Sequence, residues 1–333
     1  MKAIIPTAGV GTRLRPFTHT IPKVLLHVAD KPILGHILDK IVAEDIRDVT
    51  FVVGYLGDMI EKYVRREYPA LDSHFVLQEE AKGLGHAIYL TREQCAGSDE
   101  PALIILGDTI LEADLSILHN AETDMIGVRE VEDPRRFGVV EMRGEFISAM
   151  VEKPEKPRTN LAIVGIYYLN NLSLLYECLE ANMKKGILTK GEIQLTDALQ
   201  GMIERGARMK AFKVEGWYDC GKPETLLATN HALLEKSFMN TAPELHERFG
   251  TVRIKPPVYV APGADVSDSI LGPDVTIAEN AVVKNCIVSN SIINEEARLR
   301  DVLLAGSIIG SGAVVQAAAL RLYVGDKSEV IFE

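Results

Sequence analysis

Cysteine is scarce in this sequence, and long apolar runs are absent from it. The four cysteines lie far apart: Cys95, Cys178, Cys220 and Cys286. They form no Cys-x-x-Cys pair, so neither a disulfide framework nor a zinc site built on paired cysteines is expected. No apolar run approaches the roughly 18 residues that cross a bilayer, and no apolar signal segment follows Met1. The sequence therefore predicts a cytoplasmic protein with no membrane partner.

Basic residues are fewer than acidic ones. The chain of 333 residues has 36 Lys plus Arg and 47 Asp plus Glu, which gives a formal net charge of -11 at pH 7. Such a charge repels polyanions, so nucleic acid is not expected as a partner. A small anionic substrate would need a local group of cations. The length of 333 residues suits one large α/β domain with an appendage or two domains, and the 47% of apolar residues is enough to bury a sizeable core.

Residues 2 to about 110 alternate short β-rich runs with longer helical patterns. The β-rich runs are continuous apolar stretches, at 2–6, 49–54, 74–78 and 102–108. Such runs are typical of parallel strands buried on both faces, joined by crossover helices. The loops at the carboxyl ends of these strands should border a shared crevice. Extended segments at 125–131, 137–144 and 162–169, followed by helices near 173–182, 193–204 and 223–236, are expected to extend the same domain.

Small or β-branched residues recur every five or six positions after residue 252. The recurring residues are Val258, Ala264, Ser269, Val275, Ala281, Cys286, Ser291, Ala297, Val302, Ser307 and Ala313. With Gly, Asp, Asn or Pro at the corners, this spacing predicts hexapeptide repeats in a parallel β-helix over 252–333. Irregular β-hairpins are the alternative. Residues 240–251 lack periodicity and are expected to be a linker, which leaves 1–239 as the first domain.

A glycine turn follows the first predicted strand. Gly9 and Gly11 stand in this turn, where backbone N–H groups can face phosphate oxygens. Leu14 replaces the third glycine of a dinucleotide-binding motif, and no Gly-Lys-Ser/Thr follows, so the turn is neither that motif nor a P-loop. Arg13 offers a planar fork of donors and Lys23 a mobile point charge. Two cations beside such a turn suit a triphosphate.

Two aspartates stand where a strand or turn is expected to open onto the crevice. Asp108 follows an apolar run, and Asp219 follows Trp217 and Tyr218. Two carboxylates together with phosphate oxygens are the usual way in which a protein holds Mg²⁺. A single aspartate at such a place is more often a helix cap or a turn former. The presence of both, with two cations already placed, favours a metal site.

These motifs resemble the sugar-1-phosphate nucleotidylyltransferase family. The family signature Gly-x-Gly-Thr-Arg-Leu-x-Pro-x-Thr, followed by Pro-Lys, is present as Gly9, Gly11, Thr12, Arg13, Leu14, Pro16, Thr18, Pro22 and Lys23. Later motifs follow in the family order: Gln78 with 83–87, 107–108, 137–140, 152–154 and 217–221. The resemblance covers about the first 235 residues and implies an α/β fold, a Rossmann-like nucleotidyltransferase domain with a mostly parallel central sheet. The repeats resemble the left-handed β-helix of long family members.

The resemblance also implies roles for the residues at matching positions. Arg13, Lys23, Asp108 and Asp219 would be catalytic, the two aspartates as ligands of Mg²⁺. The nucleotide site would contain Ala8, Gly9, Gly11, Thr12, Arg13, Gln78 and Gly83. The sugar-phosphate site would contain Gly138, Glu152, Lys153 and Gly165. Three residues depart from the family pattern without removing a charge: Ala8, Phe137 and Cys220.

The implied reaction joins dTTP or UTP to glucose 1-phosphate and releases pyrophosphate. The Gln78 amide can donate and accept together, which suits the O4 and N3–H edge of uracil or thymine. A mannose-1-phosphate guanylyltransferase and a non-catalytic subunit that senses a nucleotide sugar are the alternatives.

Three further expectations concern histidines and assembly. His86 lies in a helical pattern and is expected to be structural. An acetyltransferase in the β-helix is disfavoured because no histidine follows His246 to act as the base. The β-helix is expected to serve stability or the assembly of a homo-oligomer.

Overall fold

A computed structural model of the chain describes residues 1–95 and 100–317. The chain divides into two compact units, Met1–Thr229 and Asn230–Glu333, and the division falls inside the helix Pro223–Ser237. The division after Thr229 comes ten residues before the end of the first domain predicted from the sequence, at 239. The last part of the predicted β-helix domain, 318–333, lies outside the described residues. Within the described ranges, no helix combines the length and the apolar character needed to cross a membrane.

The first unit alternates strands and helices, as the sequence predicts. Its strands are β1 Lys2–Pro6, β2 His27–Val28, β3 Lys31–Pro32, β4 Asp48–Val53, β5 Asp72–Leu77, β6 Ala102–Ile105, β7 Thr109–Glu112, β8 Asp124–Glu130, β9 Gly138–Arg143, β10 Phe146–Glu152, β11 Leu161–Leu169, β12 Met209–Lys213 and β13 Gly216–Asp219. Its helices are α1 Ile33–Ala43, α2 Gly57–Glu67, α3 Leu84–Leu90, α4 Arg92–Cys95, α5 Leu172–Lys184, α6 Leu195–Glu204 and the first part of α7, Pro223–Ser237.

The central sheet of this unit has nine strands, in the order β5-β4-β1-β6-β11-β8-β12-β10-β9. The strands β5, β4, β1 and β6 are parallel to one another, as predicted for residues 2–110. Beyond β6 the sheet is mixed, because β11 pairs antiparallel with both β6 and β8, and β10 pairs antiparallel with β9 and β12. Antiparallel strands can be joined by short turns, whereas parallel pairs need a crossover. The closely spaced segments after residue 125 therefore form the mixed half of the sheet.

Continuous apolar strands place the core on both faces of the parallel half. Ile4 and Ile5 of β1 and Phe51 of β4 are fully buried. Because β4, β1 and β6 are parallel neighbours, their carboxyl ends meet at one edge of the sheet. That edge is where α/β proteins bind ligands.

The second unit contains the end of α7, helix α8 (Ala242–Arg248) and a parallel β-helix. The strands of the β-helix are β14 Arg253–Ile254, β15 Val258–Val260, β16 Asp265–Ser267, β17 Ile270–Leu271, β18 Val275–Ile277, β19 Val282–Lys284, β20 Ile287–Ser289, β21 Ser291–Ile293, β22 Arg298–Arg300, β23 Leu303–Ala305, β24 Ile308–Ile309 and β25 Val314–Gln316. They form three four-stranded sheets in which every third strand is a neighbour. Three stacked parallel sheets are consistent with a left-handed β-helix of hexapeptide repeats and exclude hairpins in the described part of this unit.

The repeat spacing in the sequence identifies the inward-facing residues of the β-helix. Val258, Val275, Ala281 and Ala297 are fully buried. The register pairs Asp265 with Val282 and Val282 with Arg298, so successive coils are 17 and 16 residues long. Coils shorter than three full hexapeptides account for the five-residue steps in the sequence.

The segment predicted to be a linker contains helix α8. Its Leu245 is buried and belongs to the apolar core of the β-helix. The Arg248 guanidinium donates hydrogen bonds to the carbonyls of Ala261 and Ala264, at 2.9 and 3.2 Å. Carbonyl groups in the turn between β15 and β16 thereby receive hydrogen bonds from a side chain. The helix has only seven residues, which is too short for periodicity to be visible in the sequence.

Candidate active site

A cavity of about 430 Å³ opens where the predicted crevice should lie. Among the expected site residues, those that line it are Ala8, Gly9, Arg13, Lys23, Gln78, Gly83 and Asp108. The remaining lining residues are Pro6, Thr7, Val24, Ala81, Leu84, Ala87, Leu106 and Glu192. Segments far apart in the sequence therefore meet around one space.

The glycine turn has a shape that requires Gly11. This residue has a φ of +66° and precedes the single-turn helix Thr12–Leu14. A Cβ atom on Gly11 would lie 3.0 Å from side-chain atoms of both Lys23 and Thr18. Leu14, which replaces the third glycine of a dinucleotide-binding motif, is fully buried and packs in the core. The Gly9 position, by contrast, has no atom within 4 Å of where its Cβ would be, so the turn is open there.

Lys23 and Asp108 form an ion pair in the cavity. Lys23 Nζ donates to Asp108 Oδ2 at 2.7 Å, and Thr109 donates to Oδ1 at 3.3 Å. The Lys23 side chain is 8% exposed, whereas that of Asp108 is 42% exposed. Withdrawal from water raises the pKa of Asp108, but the charge and hydrogen bond of Lys23 outweigh it, and the pKa lies below its ordinary value. Asp108 is thus an anion with carboxylate surface left for a ligand.

The pairing of β13 with β7 brings Asp219 beside Asp108. In this ladder Asp219 lies opposite Thr109, and the Cys220 amide donates to the Asp108 carbonyl at 3.3 Å. Burial raises the pKa of the Cys220 thiol to about 12, so this departure from the family pattern is a neutral packing residue. A Cβ atom on Gly221 would lie 2.8 Å from Asp219 Oδ1 and 2.9 Å from an Arg13 guanidinium nitrogen. Arg13 and Asp219 therefore approach each other across Gly221.

Asp108 and Asp219 are the residues of this site that could hold a divalent cation. Within residues 1–95 and 100–317, no hydrogen bond or ion pair involves the Asp219 carboxylate. The same residues contain no group of three or more His, Cys, Asp or Glu side chains able to hold a metal. Mg²⁺ usually takes one or two carboxylates, substrate phosphates and waters. Two adjacent carboxylates fit that pattern and do not fit a site made of protein ligands alone.

Gln78 follows β5 and is 8% exposed at the cavity wall. Its Nε2 donates to the Gly83 carbonyl at 3.3 Å and lies 3.1 Å from His86 Nδ1. His86 is on α3, where the sequence predicts it. Gly83 has a φ of +107°, and a Cβ atom there would lie 2.6 Å from the Ile193 carbonyl oxygen. The segment before α6 thus packs directly against this wall.

Three of the four residues predicted for the sugar phosphate, Gly138, Glu152 and Gly165, lie on the mixed half of the sheet, and Lys153 directly follows β10. Gly138 pairs with Glu152 across β9 and β10, and a Cβ atom on Gly138 would lie 2.9 Å from Glu152 Oε2. Glu152 Oε1 is 3.2 Å from Lys153 Nζ. Gly165 has a φ of +90°, and a Cβ atom there would lie 2.7 Å from the side chain of Leu106, which lines the cavity.

Sequence reasoning assigned no role to three further side chains of this unit. Thr196 on α6 donates to Glu152 Oε2 at 2.7 Å, and Glu192 lines the cavity. The indole Nε1 of Trp217 is buried and has no acceptor among the described residues, and its ring packs edge-on against Phe137 with centroids 4.7 Å apart. Trp217 belongs to a family motif, so the sequence could have indicated it. Thr196 and Glu192 belong to no motif, and no sequence pattern indicates them.

Comparison with known proteins supports the family expectation. A family model described as "Nucleotidyl transferase" matches residues 2–236. The chain is 30% identical to a glucose-1-phosphate thymidylyltransferase of Streptomyces antibioticus over 99% of each chain. It is 36% identical to the bifunctional protein GlmU of Methanocaldococcus jannaschii over 79% of this chain and 61% of that protein.

Solved structures agree with this assignment. A UDP-glucose pyrophosphorylase complexed with UDP-glucose superposes with a TM-score of 0.61 at 29% identity, covering 71% of this chain and 98% of that one. The family expectation is thereby confirmed on the sequence and on the fold. The chain belongs to the nucleotidyl transferase family, as one of its sugar-1-phosphate nucleotidyltransferases.

Proposed function

We propose that this protein transfers a nucleotidyl group from dTTP or UTP to glucose 1-phosphate, with release of pyrophosphate. The main support is the convergence of the glycine turn, Lys23 and Asp108 at one cavity, with Asp219 beside them. The similar proteins named as a glucose-1-phosphate thymidylyltransferase and a UDP-glucose pyrophosphorylase support both the pyrimidine nucleotide and the sugar. Thymidylyl and uridylyl transfer are equally compatible with these resemblances.

In the proposed reaction an oxygen of the sugar phosphate attacks the α-phosphorus of the nucleotide. The bond from the α-phosphorus to the bridging oxygen breaks, and pyrophosphate leaves in line with the attack. Because the nucleophile is already an anion, no general base is needed. Catalysis then consists of bringing two anions together and stabilising the charge that develops.

The cations divide between the two substrates in this proposal. Arg13 and Lys23, together with backbone N–H groups of the glycine turn, bind the phosphates that leave. Lys153 binds the phosphate of the sugar, and Glu152, held by Thr196, accepts hydrogen bonds from sugar hydroxyls.

Asp108 and Asp219 are proposed to hold Mg²⁺ when substrates are bound. Mg²⁺ held there would supply positive charge against the phosphate oxygens. Lys23 holds one oxygen of Asp108 and thereby keeps this carboxylate ionised and fixed in direction. Assembly as a homo-oligomer and a cytoplasmic location remain predictions.

The proposal is tested by initial rates of pyrophosphate release over four nucleotides and four sugar phosphates. The nucleotides are dTTP, UTP, CTP and GTP, and the sugars are the 1-phosphates of glucose, galactose, mannose and N-acetylglucosamine. We expect the highest kcat/KM for dTTP or UTP with glucose 1-phosphate. Preference for GTP with mannose 1-phosphate would identify the guanylyltransferase alternative, and nucleotide binding without turnover would identify the sensing subunit.

A further inference from the structure

The contact between Gln78 and His86 has a consequence for the choice of base. The Gln78 NH₂ group has two hydrogens, and two acceptor positions lie against it, the Gly83 carbonyl at 3.3 Å and His86 Nδ1 at 3.1 Å. When Nδ1 is unprotonated, both hydrogens are used within the protein. The Oε1 atom then remains as the only group of the Gln78 side chain that a ligand in the cavity can contact.

An acceptor-only Gln78 differs from the residue expected from the sequence, which would donate and accept together. Uracil and thymine present a ring N3–H, which can donate to Oε1. Cytosine has a lone pair on N3, so Oε1 would face a second acceptor there. A site with a fixed acceptor rejects a ligand that lacks the matching donor, because a buried polar group is left unpaired.

We propose that His86 is a positioning residue that fixes the Gln78 amide, through an unprotonated Nδ1, with Oε1 toward the nucleotide, and so sets the preference for uracil and thymine over cytosine. This inference rests on the proposed function. It assigns to His86 a role beyond the structural one expected from its place on a helix. His86 itself touches neither substrate, and it acts through Gln78.

The same contact makes nucleotide binding depend on pH. Protonation of Nδ1 turns an acceptor into a donor, which removes the contact with the Gln78 NH₂ group. Desolvation lowers the pKa of His86 below its ordinary value of 6.5; Lys82 lowers it further, and Glu80 opposes this. The imidazole is therefore neutral at neutral and higher pH, and the Gln78 NH₂ group 3.1 Å from Nδ1 selects the tautomer in which Nδ1 is the acceptor. As the pH falls through the His86 pKa, the amide is released and discrimination between UTP and CTP should be lost.

Two substitutions separate this role from simple packing. His86→Leu keeps the bulk and removes the acceptor, whereas His86→Asn can place an amide oxygen near the position of Nδ1 and does not titrate. His86→Leu should raise the KM for UTP about threefold to tenfold with little change in kcat, and lower the UTP/CTP ratio of kcat/KM by a similar factor. His86→Asn should keep the selectivity of the wild type at neutral pH and retain it at acidic pH, where the wild type loses it.

The experiment measures kcat and KM for UTP, dTTP and CTP between pH 5 and 8 in the wild type, both variants and His74→Asn. His74 lies on β5 with its side chain 45% exposed and controls for loss of a histidine. The substrate phosphates titrate in the same way with every variant. Comparing the pH profiles of the wild type and His86→Asn therefore removes their contribution. Unchanged selectivity in His86→Leu, or an acidic loss of selectivity in His86→Asn equal to that of the wild type, would overturn the inference.

Calorimetric binding of UTP and CTP gives the same comparison without turnover. If the wild type is inactive with every substrate pair yet prefers UTP, and His86→Leu abolishes that preference, the proposed function fails and the inference stands. If the wild type is active and His86→Leu binds both nucleotides as the wild type does, the inference alone fails. Should His86→Leu melt at a much lower temperature, the pH comparison of His86→Asn with the wild type still decides.

Discussion

The nucleotidyl transferase unit and the β-helix use their buried polar side chains differently. In the β-helix, Ser269 and Ser291 each donate to a carbonyl in their own coil and accept from a backbone N–H in the next coil. These bonds satisfy the chain itself. In the first unit, Lys23 with Asp108 and Gln78 with His86 are side-chain pairs at a cavity wall. Groups left with spare bonding capacity therefore lie where a ligand can reach them.

The difference indicates that the two units have separate tasks. In the β-helix, Ser269 and Ser291 bond only to backbone groups, so these polar side chains serve stability. The first unit breaks its own regularity at the glycine turn and at Gly83, and these irregular places border the cavity. Every residue proposed to contact substrate or metal precedes residue 220. We therefore expect substitutions in the two units to change different measurements.

The largest effect is expected from loss of a carboxylate at the cavity. Asp108→Asn or Asp219→Asn should lower turnover on the order of a hundredfold or more while nucleotide binding changes much less, because the metal charge matters most as pyrophosphate leaves. Steady-state rates at saturating magnesium and calorimetric nucleotide binding provide the test. Near-normal turnover in both variants would remove the assigned metal site.

Loss of a core residue in the β-helix should show the opposite pattern. Ile293 is fully buried, and Ile293→Ala should destabilise the second unit by about 2–5 kcal/mol with little change in kcat. Thermal unfolding and initial rates measure the two quantities on one sample. Ile287 is 46% exposed, so Ile287→Ala is the matched control and should have only a small effect. A lower kcat at temperatures where Ile293→Ala is folded would contradict the claim that the β-helix contributes stability and not catalysis.

Substitutions of Lys153 and Lys23 should change different kinetic parameters. Lys153→Ala should raise the KM for glucose 1-phosphate roughly tenfold or more, because a charge-assisted hydrogen bond contributes about 1.5–3 kcal/mol. Lys23→Ala should lower turnover with any sugar phosphate. Lys156, exposed near Lys153 in the sequence, supplies the control Lys156→Ala. Equal effects of Lys153→Ala on the KM values of nucleotide and sugar phosphate would show that it is not dedicated to the sugar.

A smaller effect is expected from the hydroxyl that holds Glu152. Thr196→Val removes the donor to Glu152 Oε2 and keeps the shape of the side chain. The KM for glucose 1-phosphate should rise about threefold to tenfold, whereas Thr196→Ser should restore it. If serine and valine gave the same KM, the hydrogen bond would have no part in sugar binding.

The smallest effect concerns the pH dependence of the second unit. The hydrogen bond from His231 to Asp274, at 2.7 Å, raises the pKa of His231 above 6.5. The stabilisation is present below the unfolded pKa and is lost as the pH rises through the folded value. Because the His231 side chain is 51% exposed, the contribution should be a few tenths of a kcal/mol. His231→Asn should flatten the pH dependence of unfolding between pH 6 and 8 without changing the pH dependence of UTP selectivity, and a changed selectivity profile would contradict this assignment.

The sequence predicted those parts of the molecule that depend on local patterns. Continuous apolar runs identified β1, β4, β5 and β6, and the five- or six-residue spacing identified the inward positions of the β-helix. The glycine turn was visible because Gly11 must adopt a positive φ. These features need only neighbours in the chain.

Other features depend on contacts between distant segments. The Gln78 amide is oriented by His86 on the following helix, and Thr196 reaches Glu152 from a helix more than forty residues away. The strand order beyond β6 depends on which strand edges are free to form hydrogen bonds. No local sequence pattern encodes this order. Helix α2 was expected only as a crossover between two parallel strands and not from its own pattern, because only Ile60 and Val64 are buried in it.

The central claim is that the first unit performs nucleotidyl transfer to a sugar phosphate. The most direct measurement is ³¹P NMR of the protein with UTP or dTTP, glucose 1-phosphate and Mg²⁺. The account predicts equal amounts of pyrophosphate and of a nucleoside diphosphate sugar, formed only when both substrates are present and nearly abolished by Asp108→Asn. Hydrolysis of the nucleotide without sugar attachment, or no new phosphorus signal with any nucleotide and sugar phosphate, would contradict it.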